Sequence, residues 1–229
     1  MINEQKITIF LAGDSTVANY VKEAAPMAGW GQFLGTYFSE QVIIRNKAIN
    51  GRSSKSFIKE GVLNEIASDI KQGDYLFIQF GHNDEKTDER GTEPFTTYQE
   101  YLKMYIEVAR NAGATPILFS SVERRKFQED GTLDETHGDY PKAMQKLAEE
   151  LEVPFVDLRM KTRRLLESLG ADQTKPLFVW FQPNEHPNYP DGIEDDTHFH
   201  ERGARKVTEL VIEGLKEVDL PLTTYIIGK

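Results

Sequence analysis

A serine that attacks a carbonyl needs three things from the rest of its chain. It needs a base to take its proton, a group to orient that base, and donors for the oxyanion. Four short segments of this 229-residue chain could supply them. They are Gly13-Asp14-Ser15, Asn50-Gly51, His82-Asn83-Asp84 and Asp195-Asp196-Thr197-His198. Ser15 is the candidate nucleophile and His198 the candidate base. Asp195 sits three residues before His198, and a short turn can aim both side chains the same way. The carboxylate then accepts from one ring nitrogen, fixes the tautomer and leaves the other nitrogen for Ser15. Asp196 competes as the orienter, one residue out of phase. Gly51 offers a backbone N–H that a ligand can approach closely, and Asn83 offers a side-chain amide. Together they would perform acyl transfer. Each piece alone has a plainer use. Ser15 suits an N-cap or turn, Gly51 a turn, Asn83 an Asx turn, His82 a packed or loop position, and Asp195 to His198 an exposed acidic loop.

These residues can converge only if the fold brings them to one edge. Apolar runs at 7–12, 42–48, 75–80, 115–121 and 153–158 are each short and bounded by turn residues. Such runs suit strands buried on both faces of a parallel sheet. Between them lie helical stripes. Tyr98, Tyr101, Leu102, Tyr105, Ile106 and Ala109 form one, with Gly113 as its stop. Ala143, Leu147, Ala148 and Leu151 form another, and Ala204, Val207, Leu210, Val211 and Leu215 a third. Strands alternating with helices imply right-handed crossovers and a three-layer α/β/α sandwich. In such a sheet ligands bind outside the carboxyl ends of the strands, which is where Ser15, Gly51 and Asn83 fall. Residues 170–196, rich in Pro, Asn, Asp and His, read as a long irregular loop.

Composition narrows the chemistry. With no cysteine there is no disulfide framework, thiolate metal site or thiol nucleophile. A formal net charge of −10 argues against a general nucleic-acid binder. The first apolar run is too short to span a bilayer and lacks the flanks of a signal peptide, so the expectation is a cytoplasmic protein with no membrane partner. No composition break divides the chain, and residues 1–229 read as one domain.

The four segments, in this order, resemble the conserved blocks of the SGNH hydrolases, also called the GDSL esterase/lipase superfamily. Phe10-Leu-Ala-Gly-Asp-Ser-Thr16 is similar to the first block and Asn50-Gly51-Arg-Ser to the second. Gly81-His-Asn83-Asp is similar to the third and Asp195-Asp-Thr-His198 to the last. Thr16 in place of Leu, Asn-Gly-Arg-Ser-Ser, Phe-Gly-His-Asn-Asp, and Glu-Arg-Gly-Ala after the last block resemble the rhamnogalacturonan acetylesterase group. That resemblance implies a flavodoxin-like five-stranded parallel sheet in the order 2-1-3-4-5. It implies Ser15 as nucleophile, His198 as base and Asp195 as orienter. It also implies an oxyanion hole made by the N–H groups of Ser15 and Gly51 and the side chain of Asn83. The activity implied is removal of O-acetyl groups from pectic carbohydrate, without a cofactor. His200 departs from the pattern, standing where Ser or a similar residue is common.

Other residues could shape the substrate site. An acidic sugar chain would be repelled by the net charge and would need local cations. Arg45, Lys47, Arg52, Lys55 and Lys59 fall between residues 41 and 59, where there are no acids, and Arg124-Arg125-Lys126 follows the fourth strand. Arg52 and Arg124 are the candidates for contact, together with His82 and His200. Trp180 is the favoured flat surface for a sugar, with Phe181 and Trp30 as further candidates; core packing suits Trp30 better. His186, His198, His200, Asp195 and Asp196 have side chains that could ligate zinc, but a serine esterase needs no metal, and none is expected. Alternatives are another carbohydrate acetylesterase, a short-chain lipase, thioesterase or lysophospholipase, or a non-catalytic flavodoxin-like binding module.

Overall fold

The computed structural model describes residues 6–227. Five parallel strands form its main sheet: β1 (Ile7–Gly13), β2 (Val42–Asn46), β3 (Tyr75–Gln79), β4 (Thr115–Phe119) and β5 (Phe155–Val156). Their spatial order is β2-β1-β3-β4-β5, as expected. Six α-helices among the described residues accompany them: α1 (Ser54–Lys59), α2 (Val62–Asp69), α3 (Gln99–Asn111), α4 (Tyr140–Glu150), α5 (Leu158–Thr174) and α6 (Glu201–Glu217).

Alternation along the strands sorts the core into two layers. Phe10, Ala12, Leu76, Ile78 and Leu118 face one side, against Phe57 of α1, Ile66 of α2, Tyr105 of α3 and Leu147 of α4. Ile9, Leu11, Phe77, Ile117 and Phe119 face the other, against Leu166 of α5 and Val207, Val211 and Leu215 of α6. Every residue of β3 is buried, as a central strand between two helical layers requires. The carboxyl ends of β1 and β3 lie side by side, with Gly13 paired to Gln79. That register fixes the edge where the site is built.

Two expectations need correction. The fifth strand is only two residues long, because the Asp157 side chain accepts the Met160 N–H at 3.1 Å and starts α5 at once. The stretch 170–196 is not one long loop. It holds the end of α5 beyond a kink at Gly170, then β6 (Phe178–Phe181) and the start of β7 (Ile193–Phe199), which pair antiparallel. Phe178, Val179 and Phe199 are buried and hold this hairpin to the core. No helix among the described residues is long and apolar enough to cross a membrane.

Candidate active site

The serine turn is locked from behind. A Cβ on Gly13 would come within 3.1 Å of the Gln79 carbonyl oxygen and 2.7 Å of the Val17 side chain. Glycine therefore lets β1 turn tightly against β3. Asp14 Oδ1 accepts the Thr16 N–H at 2.9 Å and its hydroxyl at 2.8 Å. Thr16 Oγ1 accepts from Gln79 Nε2 at 2.6 Å, and Gln79 Oε1 accepts from Trp30 Nε1 at 2.8 Å. All four side chains are buried. Trp30 is therefore a core residue in this chain of bonds, not a sugar platform.

Ser15 Oγ lies 3.0 Å from His198 Nε2. His198 Nδ1 lies 2.7 Å from Asp195 Oδ2. Asp195 Oδ1 accepts the backbone N–H groups of Thr197 and His198, each at 2.8 Å. A bulge makes this possible on a strand. Val179 pairs with Asp195 while Phe178 pairs with Phe199, so residues 196–198 are extra on β7. The bulge re-aims His198 back beside Asp195. Burial alone would raise the Asp195 carboxyl, but the bonds from the His198 ring and from the two N–H groups outweigh it and hold it below its ordinary value. Asp196 does different work. Its Oδ1 accepts from Arg125 Nη1 at 2.7 Å and Trp180 Nε1 at 2.9 Å, and its carbonyl accepts the Arg125 N–H at 2.8 Å.

Gly51 reaches the same edge because the Ile49 N–H donates to the Gly13 carbonyl at 3.1 Å. Its φ of +75° suits glycine. The N–H groups of Ser15 and Gly51 have no hydrogen-bond partner among the described residues. Asn83 is held at both ends: its Nδ2 donates to the Arg52 carbonyl at 3.1 Å and its Oδ1 accepts from Arg90 Nη1 at 3.2 Å. A hydroxyl, imidazole and carboxylate in this relay, beside two free N–H groups and an amide, can form and break an acyl-serine.

Among the remaining candidates, Trp180, Phe181 and His200 line one cavity, Arg52 lines another with Gly51 and Arg90, and His82 is buried. His82 is 4 % exposed and sits behind the serine turn, its Nδ1 3.3 Å from Asp14 Oδ2 and its ring edge-on to His137 at 4.7 Å. Burial lowers its pKa to about 4, so it is neutral near pH 7. Arg52 pairs with Glu60 at 2.8 Å, and Arg124 pairs with Glu85 and the Thr136 carbonyl. Arg45, Lys47 and Lys126 face Asp69, Glu65 and Asp134. Most of these cations are thus matched by acids, while Lys55 donates to the Gly91 carbonyl at 3.2 Å. Trp180 is half-buried, with the Arg125 guanidinium 4.7 Å and the Lys175 ammonium 5.3 Å from its ring centre. Phe181 stacks on Tyr189 at 5.6 Å. His200 caps α6, its Nδ1 accepting the Arg202 N–H at 3.1 Å. Serine is a favoured N-cap, so His200 takes over a job that Ser would do. Burial lowers its pKa and keeps that nitrogen an acceptor. Among the described residues no group of three or more His, Asp or Glu is placed to hold a metal ion.

Near the site, Asp84 was named from the sequence without a role, and Arg90 was not singled out. Asp84 is fully buried and receives the Ser54 hydroxyl at 2.5 Å and the Ser54 N–H at 3.1 Å. Its signal was present, since it ends the third segment. Arg90 lies in a charged run that reads as solvated surface, and no spacing sets it apart.

The chain matches the GDSL-like lipase/acylhydrolase family over residues 11–206. It is 54 % identical over 226 residues to the rhamnogalacturonan acetylesterase RhgT of Bacillus subtilis, covering 99 % of this chain and 97 % of that protein. It is 42 % identical over 221 residues to the probable rhamnogalacturonan acetylesterase YesY of the same organism, covering 96 % of this chain and 97 % of that one. Among solved structures, the B. subtilis protein YXIM superposes with a TM-score of 0.79 at 29 % identity. That match covers 93 % of this chain and 56 % of the longer YXIM chain. The acetylxylan esterase Axe2 of Geobacillus stearothermophilus shares the fold, with a TM-score of 0.64 at 16 % identity over 99 % of this chain and all of its own. The chain belongs to the GDSL-like lipase/acylhydrolase family.

Proposed function

We propose that this chain is a serine esterase that removes O-acetyl groups from rhamnogalacturonan or its oligosaccharides. The observation that carries the reading is the relay from Ser15 through His198 to Asp195, set beside the free N–H groups of Ser15 and Gly51. The 54 % identity to a rhamnogalacturonan acetylesterase over nearly the whole of both chains supports the pectic substrate. In this reading residues 1–229 form one hydrolase domain, with both helical layers packed on the same sheet.

Ser15 Oγ attacks the acetyl carbonyl carbon while His198 Nε2 takes its proton. Asp195 holds the ring in the tautomer that leaves Nε2 unprotonated and stabilises the imidazolium that forms. The tetrahedral oxyanion sits against the N–H groups of Ser15 and Gly51 and the Asn83 amide. The bond to the sugar oxygen breaks, and His198 returns the proton to that oxygen. Water then attacks the acetyl-serine and gives its proton to His198. The acetyl–serine bond breaks, acetate leaves, and Ser15 regains its proton. Water is the only co-reactant.

Acetate release is the direct test. Acetylated rhamnogalacturonan fragments, acetyl-xylan and acetyl monosaccharides are compared, with butyryl esters beside them. The expected result is the highest kcat/KM on the rhamnogalacturonan fragments and a preference for acetyl over butyryl. Faster turnover of acetyl-xylan or of butyryl esters would overturn the substrate assignment.

A further inference from the structure

Arg90 belongs to none of the four segments, yet it touches two of them. One nitrogen, Nη1, donates to Asn83 Oδ1 at 3.2 Å and to the Gly51 carbonyl at 3.4 Å. We propose that Arg90 is a positioning residue that sets the direction of the Asn83 amide in the oxyanion hole. This inference rests on the reading of Asn83 as an oxyanion donor.

The Asn83 side chain ends in an amide. Its two ends are almost the same shape and opposite in chemistry. Turned one way, Asn83 presents N–H to a developing negative oxygen. Turned the other way, it presents a carbonyl oxygen, which repels that charge. Shape alone does not choose between them, so the neighbours must. Guanidinium can only donate, and it stands at Oδ1. The Arg52 carbonyl can only accept, and it stands at Nδ2, 3.1 Å away. A flip would set donor against donor at one end and acceptor against acceptor at the other. The correct orientation spends one amide hydrogen on Arg52 and leaves the second for the substrate.

Arg90 is itself held. Asp88 grips it as a fork, with Oδ1 3.0 Å from Nε and Oδ2 2.6 Å from Nη2, while Oδ1 also accepts the Arg90 N–H at 3.0 Å. The Gly91 N–H donates to the Asp88 carbonyl at 2.9 Å. The Thr92 N–H then returns to the carbonyl of Asp84, the residue after Asn83, at 2.9 Å. Residues 83–92 form a closed loop that brings a guanidinium back to the amide at its own start. A planar fork with Nε and Nη2 on Asp88 at one side and Nη1 on Asn83 and Gly51 at the other suits Arg and not Lys.

The experiment measures kcat and KM for a soluble acetyl ester with Arg90→Ala, Arg90→Lys, Asn83→Ala and the double variant Asn83→Ala/Arg90→Ala. Arg90→Ala is expected to lower kcat about 10- to 100-fold with KM changed less than about threefold. Arg90→Lys, which keeps a donor near Oδ1, is expected to recover part of that loss. In the Asn83→Ala background, removing Arg90 is expected to cost less than about threefold, because the amide it orients is gone. Equal losses in both backgrounds, or a loss confined to KM, would overturn the inference. If Asn83→Ala alone keeps full kcat, the reading of Asn83 fails, and the inference fails with it. Arg90→Met, which keeps the packing of the stem, takes the place of the Ala variant if that does not fold.

Discussion

His198 Nδ1 lies 2.7 Å from Asp195 Oδ2, and the same carboxylate takes two backbone N–H groups through its other oxygen. Asp195 is therefore fixed before it fixes the histidine. Asp195→Asn keeps the size but places an amide where an acceptor is needed, which favours the wrong tautomer. The expected result is a fall in kcat of about 10³- to 10⁴-fold with the fold intact. Steady-state kinetics and a thermal melt check it, and near-normal kcat would contradict it.

The adjacent Asp196 should behave in the opposite way. It binds Arg125, whose side chain is 7 % exposed, and the Trp180 indole. Asp196→Ala removes the carboxylate from a buried guanidinium, which keeps Thr174 and the Ala171 carbonyl as partners. The expected loss is about 1–3 kcal/mol of stability, moderated because Asp196 itself is 40 % exposed. Denaturant unfolding measures it. An unchanged midpoint would show that the pair holds the hairpin less firmly than its geometry implies.

On the proposed role of Asn83 as an oxyanion donor, Asn83→Ala removes that donor and leaves the relay of Ser15, His198 and Asp195 in place. A loss of about 10²- to 10³-fold in kcat is expected, with little change in KM. A rise in KM at constant kcat would instead mark Asn83 as a ground-state contact.

Asp84 gives the fold a pH dependence of its own. Burial pushes its carboxyl up to about 7, against the opposing hydrogen bonds from Ser54 and Thr92. An unfolded aspartate titrates near about 3.9. Between those values the folded chain holds a proton that the unfolded chain has lost. Stability from this group is therefore full below about pH 4 and declines as pH rises to about 7. Asp84→Asn does not titrate. The stability of the natural chain relative to that variant should fall across this window, by at most about 1.4 kcal/mol per pH unit. A difference that stays flat with pH would contradict the burial argument.

The sheet was legible because its strands are short, apolar and end in turn residues. Phe10 and Ile9 could each be given to a face from alternation alone. The residues of the serine relay were legible because acyl transfer demands a particular set of side-chain types. The hairpin of β6 and β7 was not legible. β6 is only four residues long, and β7 reads Ile-Glu-Asp-Asp-Thr-His-Phe, where a bulge breaks the alternation that would mark a strand. Spacing alone left Asp195 and Asp196 both open; the family resemblance pointed to Asp195, and the bulge explains how it reaches His198. The pairing of Arg52 with Glu60 and of Arg124 with Glu85 was hidden for a different reason: a charge run shows the cations and not the acids that fold against them. Arg90 left no trace in the spacing, since its role depends on a loop closing on itself.

The most direct measurement is acetate release from acetylated rhamnogalacturonan by the natural chain and by Ser15→Ala at equal concentration, with thermal melts to show that both are folded. The natural chain is expected to release acetate and the variant none above background, because no other hydroxyl stands 3.0 Å from His198 Nε2 among the described residues. A folded Ser15→Ala variant that still released acetate at a substantial fraction of the natural rate would contradict the assignment of Ser15 as nucleophile.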